Sequence, residues 1–233
     1  MSTRTAQNAK TLDGKYYTSQ DIYEAETQQV FFKHWIYVGR TSALSEPGSY
    51  FLREIESESI IVLKDHEGEV RAHHNVCRHR GTRLLSEPEG TLAKSIQCMY
   101  HAWTYALDGS LIGAPFMDEV ESFCQENYPL KSVSLATWEG CIFVSLADEP
   151  EPFEQAFAPL IDKFTSWTMD ELQIAHTIIY EIPANWKLVF QNYSECYHCP
   201  GLHPALNQLT PFRNSSNDLE EGPYLGGPMR MAI

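Results

Sequence analysis

Two short runs of this 233-residue chain hold the side chains best suited to metal chemistry. Cys77-Arg78-His79 is a C-x-H pair and Cys98-Met99-Tyr100-His101 a C-x-x-H pair, with eighteen residues between His79 and Cys98. Two thiolates can hold one iron and two neutral imidazoles a second, giving a 2Fe-2S cluster with a reduction potential above that of an all-cysteine cluster. The same residue types also suit a tetrahedral, redox-silent Cys2His2 zinc site, although a mixed Cys-x-His opening departs from the usual C-x-x-C. Gly81 permits a tight loop beside the first pair, and Tyr100 and Trp103 are placed to cover the metal and limit water. From Arg71 to Arg83 there are four arginines (Arg71, Arg78, Arg80, Arg83) and no carboxylate. This basic island in an acidic chain suits the docking of an acidic electron donor. His73 and His74 read as ordinary strand residues.

A third run, from Asn185 to Pro204, carries a different set of donors. On a helix Glu195 and His198, three apart, share a face. His203 would point elsewhere on a continuous helix, but Pro200 and Gly201 are expected to break it and bring the second imidazole round. Two imidazoles and a carboxylate on one triangular face leave iron(II) with open positions for oxygen and substrate. Cys196-x-x-Cys199 in the same run leaves a zinc or redox reading open. Cys124 and Cys141 read as ordinary buried thiols.

The rest of the chain must position these groups. A hydrophobic content of 43% over 233 residues is enough to bury a substantial core, and the net charge of −14 argues against nucleic acid or an anionic membrane as partner. There is no apolar run of membrane-spanning length and the first residues lack a signal-peptide core, so the cytoplasm is the expected location, with the six cysteines reduced. Thr18 with Asp21 predicts a capped amphipathic helix to about Lys33. From Tyr50 to Leu146 short β-rich runs predict an antiparallel domain, with hairpins at His66-Glu67-Gly68 and Asp108-Gly109. The Pro- and Glu-rich stretch from Asp148 to Pro152 reads as a boundary. Beyond it a helical segment over 153–167, a strand over 173–182 and a helix from about Asn185 are expected. The fold class is therefore α+β, divided into an N-terminal segment and helix (1–34), a β domain (35–147) and the opening of a second domain (148–233).

Cys77-Arg-His79-Arg-Gly81 and Cys98-Met-Tyr-His101-Ala-Trp103 resemble the signature of the Rieske domain in aromatic-ring-hydroxylating oxygenase α subunits. The Glu195-x-x-His198-x-x-x-x-His203 run is similar to the catalytic-domain motif of the same subunits. The resemblance implies a 2Fe-2S cluster on Cys77, His79, Cys98 and His101, and a mononuclear Fe(II) with His198 and His203 among its ligands, in a helix-grip-like catalytic domain. It implies that Glu195 is not a ligand but bridges a neighbouring subunit's cluster histidine to an iron-bound one, along the route His101, Glu195, His198. Electrons would come from NAD(P)H through a reductase or ferredoxin, and the product would be a hydroxylated aromatic compound, as in aromatic hydrocarbon catabolism, or a demethylated amine. A homotrimer is implied for the full-length protein, with neither nucleic acid nor membrane as partner. Many ring-hydroxylating members have aspartate where this chain has Glu195, and the wording Glu-Cys-Tyr-His-Cys is closer to oxygenases of quaternary amines such as carnitine or glycine betaine. The family's third iron ligand, a carboxylate, is expected beyond Ile233. Asp218, Glu220 and Glu221 lie too close to His203 to match it and are expected in a solvated loop. The expected function is the oxygenase component, with a truncated 2Fe-2S electron-transfer module as the alternative, and the 233 residues alone are expected to hold the cluster without coupled oxygenation.

Overall fold

The computed structural model describes residues 10–215 and 231–232; Asp218, Glu220 and Glu221 lie outside them. The chain divides into two compact units, one of Glu24–Ile178 and one of Met1–Tyr23 with Ile179–Ile233. Among the described residues no helix is long and apolar enough to cross a membrane.

The first unit is built from ten strands, β1 (Ile36–Arg40), β2 (Ser49–Ile55), β3 (Glu58–Lys64), β4 (Val70–His74), β5 (Glu89–Thr91), β6 (Ser95–Gln97), β7 (Thr104–Ala106), β8 (Leu111–Gly113), β9 (Ser134–Trp138) and β10 (Cys141–Ser145). They pair in three antiparallel sheets, ordered β1-β10-β9, β4-β3-β2-β5 and β6-β7-β8. The central strand β3 is an unbroken apolar run because both of its faces are buried. Ile61 and Leu63 enter one core with Cys77, Cys98, Trp103 and Tyr105. Ile60 and Val62 enter the other with Val38, Phe51, Ile142 and Val144. The period of two along a strand sends alternate side chains to opposite cores, and each fully buried one contributes about 1.5–3 kcal/mol.

Both expected hairpins form. In the first, Asp65 Oδ1 accepts from the backbone N–H groups of Glu67 and Glu69 at 3.0 and 2.8 Å, and Oδ2 takes Arg71 Nε at 2.8 Å. Burial alone would raise the Asp65 pKa, but the Arg71 bond and the two N–H donors prevail and hold it below the usual carboxylate range. In the second, Asp108 Oδ1 accepts from Ser110 N and Oγ at 2.8 and 2.7 Å, and Gly109 takes a positive φ of 92°. A Cβ at Gly109 would stand 2.6 Å from His73 Cε1, so glycine is required there twice over. β1, β5 and β9 lack a period-two signal that sequence could have supplied; β5, for instance, is Glu-Gly-Thr with every residue exposed.

His73 joins these pieces. Its ring is buried on β4, and Nε2 lies 3.1 Å from the Leu107 carbonyl, which only accepts, so Nε2 carries the proton. Nδ1 has no partner among the described residues. Burial pushes the His73 pKa below its ordinary value; the Leu107 carbonyl and Asp108 oppose that push and Arg71 adds to it. An unfolded histidine titrates near pH 6.5, as a rough reference. A group with a lowered folded pKa binds fewer protons folded than unfolded, so stability is intact above that pH and falls as the pH drops below it. The unit is expected to melt at a lower temperature at pH 5 than at pH 7.5, and His73→Gln, which keeps an N–H for Leu107, to flatten that dependence. An unchanged slope in the variant would assign the effect to another group.

Three local expectations are corrected. The N-terminal helix is broken at Ser19 (ψ 128°) into α1 (Lys15–Thr18) and α2 (Gln20–Glu26), and ends in a π-turn over Thr27–Phe31. Ser19 Oγ, not Thr18, accepts from the Ile22 N–H, at 3.5 Å, while Thr18 Oγ donates to the Gly14 carbonyl. The segment 153–167 is helical only over α3 (Phe153–Ala156), because Pro159 removes a donor and blocks the following turn. Residues 173–182 form no strand. Ile178, Ile179 and Tyr180 there stay exposed, since a strand needs a partner edge and no described residues supply one. In the second unit, Asn185 Oδ1 accepts from Lys187 N at 3.1 Å and caps α4 (Trp186–Tyr193) where a helix was expected. Two short helices follow, α5 (Cys199–Leu202) and α6 (Pro204–Leu209).

Candidate metal centres

Cys77 and Cys98 open two loops of the same construction. In the first, Cys77 N–H donates to the Thr82 carbonyl and Gly81 N–H returns to the Cys77 carbonyl; in the second, Cys98 N–H donates to Trp103 O and Ala102 N–H returns to Cys98 O. Each loop therefore closes through the fourth residue after its cysteine, and both such residues are left-handed, Gly81 at φ 72° and Ala102 at φ 57°. Glycine at position 81 signalled the first turn, whereas alanine at 102 concealed the second.

The loops bring the four expected donors together in layers. Cys77 and Cys98 are each 2% exposed within the core. His79 is exposed and His101 half-buried, with ring centroids 4.7 Å apart. Trp103 is buried and stacks on His79 at 4.8 Å and 11°, while Tyr100 lies against His101 yet stays 60% exposed, so Trp103 is the cover and Tyr100 only a rim. The donors come as a buried thiol pair and an imidazole pair nearer the surface, a division that suits a dinuclear cluster.

Tyr105, absent from the sequence-based candidates, is the main support of the thiols. Its hydroxyl, fully buried, accepts from Arg78 N–H at 3.0 Å and stands 3.3 Å from Cys77 Sγ, so its own proton is free to point at the sulfur. Burial, then the Cys77 contact, pushes the Tyr105 pKa well above the ordinary phenol value, and the group remains a donor. Burial likewise pushes the Cys77 thiol up, against the pull of Tyr105 and the His79 backbone N–H. Nothing local in the sequence flags Tyr105, which is 28 residues from Cys77.

The basic island is smaller than its four arginines suggest. Arg71 is held by Asp65, and Arg83 Nη2 meets Glu54 Oε1 at 2.5 Å. Arg78, whose Nε is buried with no partner among the described residues, and the exposed Arg80 flank His79 in the sequence.

In the second unit, the third run converges by a route other than the one expected. α4 ends at Tyr193, so Glu195 stands on a loop and shares no helix with His198. The two still meet: His198 Nδ1 is 2.6 Å from Glu195 Oε1, and Glu195 Oε2 accepts from Tyr197 N at 2.5 Å. The His198 bond first, and the Tyr197 N–H after burial is offset, hold the Glu195 carboxyl below its usual range. Because a carboxylate accepts, Nδ1 carries the proton and Nε2 keeps a free lone pair for a metal. The chain breaks at His203 (φ −127°, ψ 57°), between α5 and α6, and not at Pro200-Gly201, which lie inside α5. Pro204 is the cause, since the residue before a proline is driven out of the helical region. The break turns the His203 ring to within 5.3 Å of the His198 ring, at 74°.

The profile of the Rieske 2Fe-2S domain matches residues 34–124, and that of the ring hydroxylating alpha subunit (catalytic domain) matches residues 169–231. The chain is 38% identical over 215 residues to the glycine betaine monooxygenase oxygenase subunit of Chromohalobacter salexigens, covering 92% of this chain and 48% of that one. It is 37% identical over 193 residues to the carnitine monooxygenase oxygenase subunit of Acinetobacter pittii, covering 82% and 52%. Among solved structures, the quaternary ammonium Rieske monooxygenase CntA in complex with gamma-butyrobetaine superposes with a TM-score of 0.80 at 33% identity, covering 88% of this chain and 57% of that one. Naphthalene 1,2-dioxygenase from Rhodococcus sp. gives 0.72 at 29% identity, covering 81% and 44%. The chain thus spans about half the length of the curated relatives it matches.

Proposed function

This chain belongs to the α subunits of Rieske non-haem iron oxygenases, and on that premise we propose that it is the oxygenase component of a quaternary-amine monooxygenase, hydroxylating the carbon next to nitrogen and so demethylating its substrate. Cys77, His79, Cys98 and His101 would hold the 2Fe-2S cluster, and His198 and His203 two of the positions on Fe(II). When bound, these groups supply single-electron transfer and the activation of dioxygen. The observation that carries the reading is the Glu195–His198 pair: an ionised carboxylate on Nδ1 fixes the tautomer that a metal-binding imidazole needs. Glu195 would bind no metal; it would hold the proton at His198 Nδ1 and accept from His101 of a neighbouring copy in a homotrimer. The amine substrate is supported by the glycine betaine and carnitine oxygenase subunits among the relatives. Residues 1–34, 35–147 and 148–233 would serve as entry segment, cluster domain and opening of the catalytic domain, in a cytoplasmic enzyme served by an NAD(P)H-dependent reductase or ferredoxin that meets Arg78 and Arg80.

The test uses the complete reading frame that carries this chain, supplied with reductase, NADH, dioxygen and iron(II). Demethylated product from glycine betaine or carnitine, in proportion to NADH consumed, is expected. Hydroxylation of aromatic acids with none of the amines would overturn the substrate class.

Tyr105→Phe probes the thiol layer. Loss of an O–H donor to a sulfur ligand removes about 1 kcal/mol of preference for the reduced, more negative cluster, a fall in reduction potential on the order of 50 mV for one electron. Redox titration of the visible spectrum measures it, and an unchanged potential would show that the hydroxyl does not reach the sulfur.

A further inference from the structure

Cys196 and Cys199 lie inside the Glu195–His203 segment, and the iron site proposed above uses neither. Cys199 N–H donates to the Cys196 carbonyl at 3.0 Å. That bond closes a four-residue turn, which keeps the two Cα atoms within about 7 Å, a span of the size that a disulfide bridges. Cys199 is 7% exposed and Cys196 half-buried. A small solute therefore reaches Cys196 first and leaves Cys199 beside it to resolve the product. The Cys196 and Cys199 thiols are within hydrogen-bond reach of one another. No other cysteine shares this setting: Cys77 and Cys98 belong to the cluster core, and Cys124 and Cys141 are not the buried thiols the sequence predicts, since Cys124 is exposed and the half-buried Cys141 lies 3.3 Å from Arg40 Nη1.

We propose that Cys196 and Cys199 form a reversible redox pair that hydrogen peroxide closes to a disulfide, locking the turn that carries His198. Peroxide is the two-electron reduction product of dioxygen, the co-substrate proposed above. The Cys196 sulfur, losing its proton, attacks one peroxide oxygen; the O–O bond breaks, hydroxide leaves and takes up that proton as water, and Cys196 becomes a sulfenic acid. The Cys199 sulfur then attacks the Cys196 sulfur, the S–S bond forms, the S–O bond breaks and a second water leaves with the Cys199 proton. Two thiols are oxidised by two electrons and one peroxide is reduced to two waters. Tyr197 N–H and His198 Nδ1 both depend on Glu195, so a covalent tie across their turn fixes the segment that presents the imidazole.

The experiment treats the cluster-loaded protein with hydrogen peroxide, alkylates it and maps the thiols by peptide mass spectrometry, following the cluster by its visible spectrum. Both thiols of the 196–199 peptide are expected to become unreactive together and to return with dithiothreitol while the cluster persists. Cys199→Ser should stop at a Cys196 sulfenic acid trapped by dimedone, and Cys196→Ser should leave Cys199 alkylatable. In the oxidised wild type, amide exchange at Tyr197 and His198 should slow several-fold. Cluster bleaching or Cys124 oxidation while both thiols remain alkylatable would overturn the pair, and unchanged exchange in a disulfide-bonded sample would overturn the locking.

Discussion

Glu195→Gln is expected to leave the cluster reducible and both metals bound while lowering turnover on the order of 100-fold or more. The carboxylate serves two acceptor directions at once, His198 Nδ1–H at 2.6 Å and Tyr197 N–H at 2.5 Å. An amide has one acceptor oxygen, and its NH2 faces donors on the other side, so one of these N–H groups loses its partner. The negative charge that favours an imidazole N–H approaching from another copy is lost as well. The variant keeps the size of the side chain, so the fold should persist. Iron analysis, the reduced-cluster paramagnetic resonance signal and single-turnover product yield separate the possibilities: loss of mononuclear iron would make Glu195 a ligand, and near-normal turnover would remove its bridging role.

Cys98→Ala is expected to abolish the cluster. Cys98 sits 2% exposed in the same core as Cys77, Trp103 and Tyr105, on a loop closed by its own backbone bonds to Ala102 and Trp103. Alanine fits the space but supplies no thiolate, and a dinuclear centre held by two pairs cannot keep an iron on one sulfur. Because ligand binding is coupled to folding, the unit should also melt at a lower temperature. Iron and acid-labile sulfide content with the low-field signal on reduction give the readout. Zinc as the sole metal in anaerobically purified wild-type protein would instead identify a redox-silent tetrahedral site.

The sequence by itself determined the donors and their order, because metal chemistry restricts residue type and spacing: Cys77, His79, Cys98 and His101 reach one place, and Glu195, His198 and His203 another. Turn chemistry is equally local, so the His66-Glu67-Gly68 and Asp108-Gly109 turns and the helix start near Asn185 stand where composition put them. Only the tertiary structure decided what lies between. Tyr105 supports Cys77 across 28 residues, and Trp103 stacks on His79 from the other loop. Arg71 and Arg83 are drawn away to Asp65 and Glu54, and buried His73 ties β4 to the Leu107 turn. The Ala102 turn is left-handed without a glycine because its loop closes through Cys98 and Trp103. Spacing predicted that Glu195 would meet His198 but placed both on one helix; a loop makes the contact, since hydrogen-bond reach, unlike helical phase, can be met by more than one backbone path.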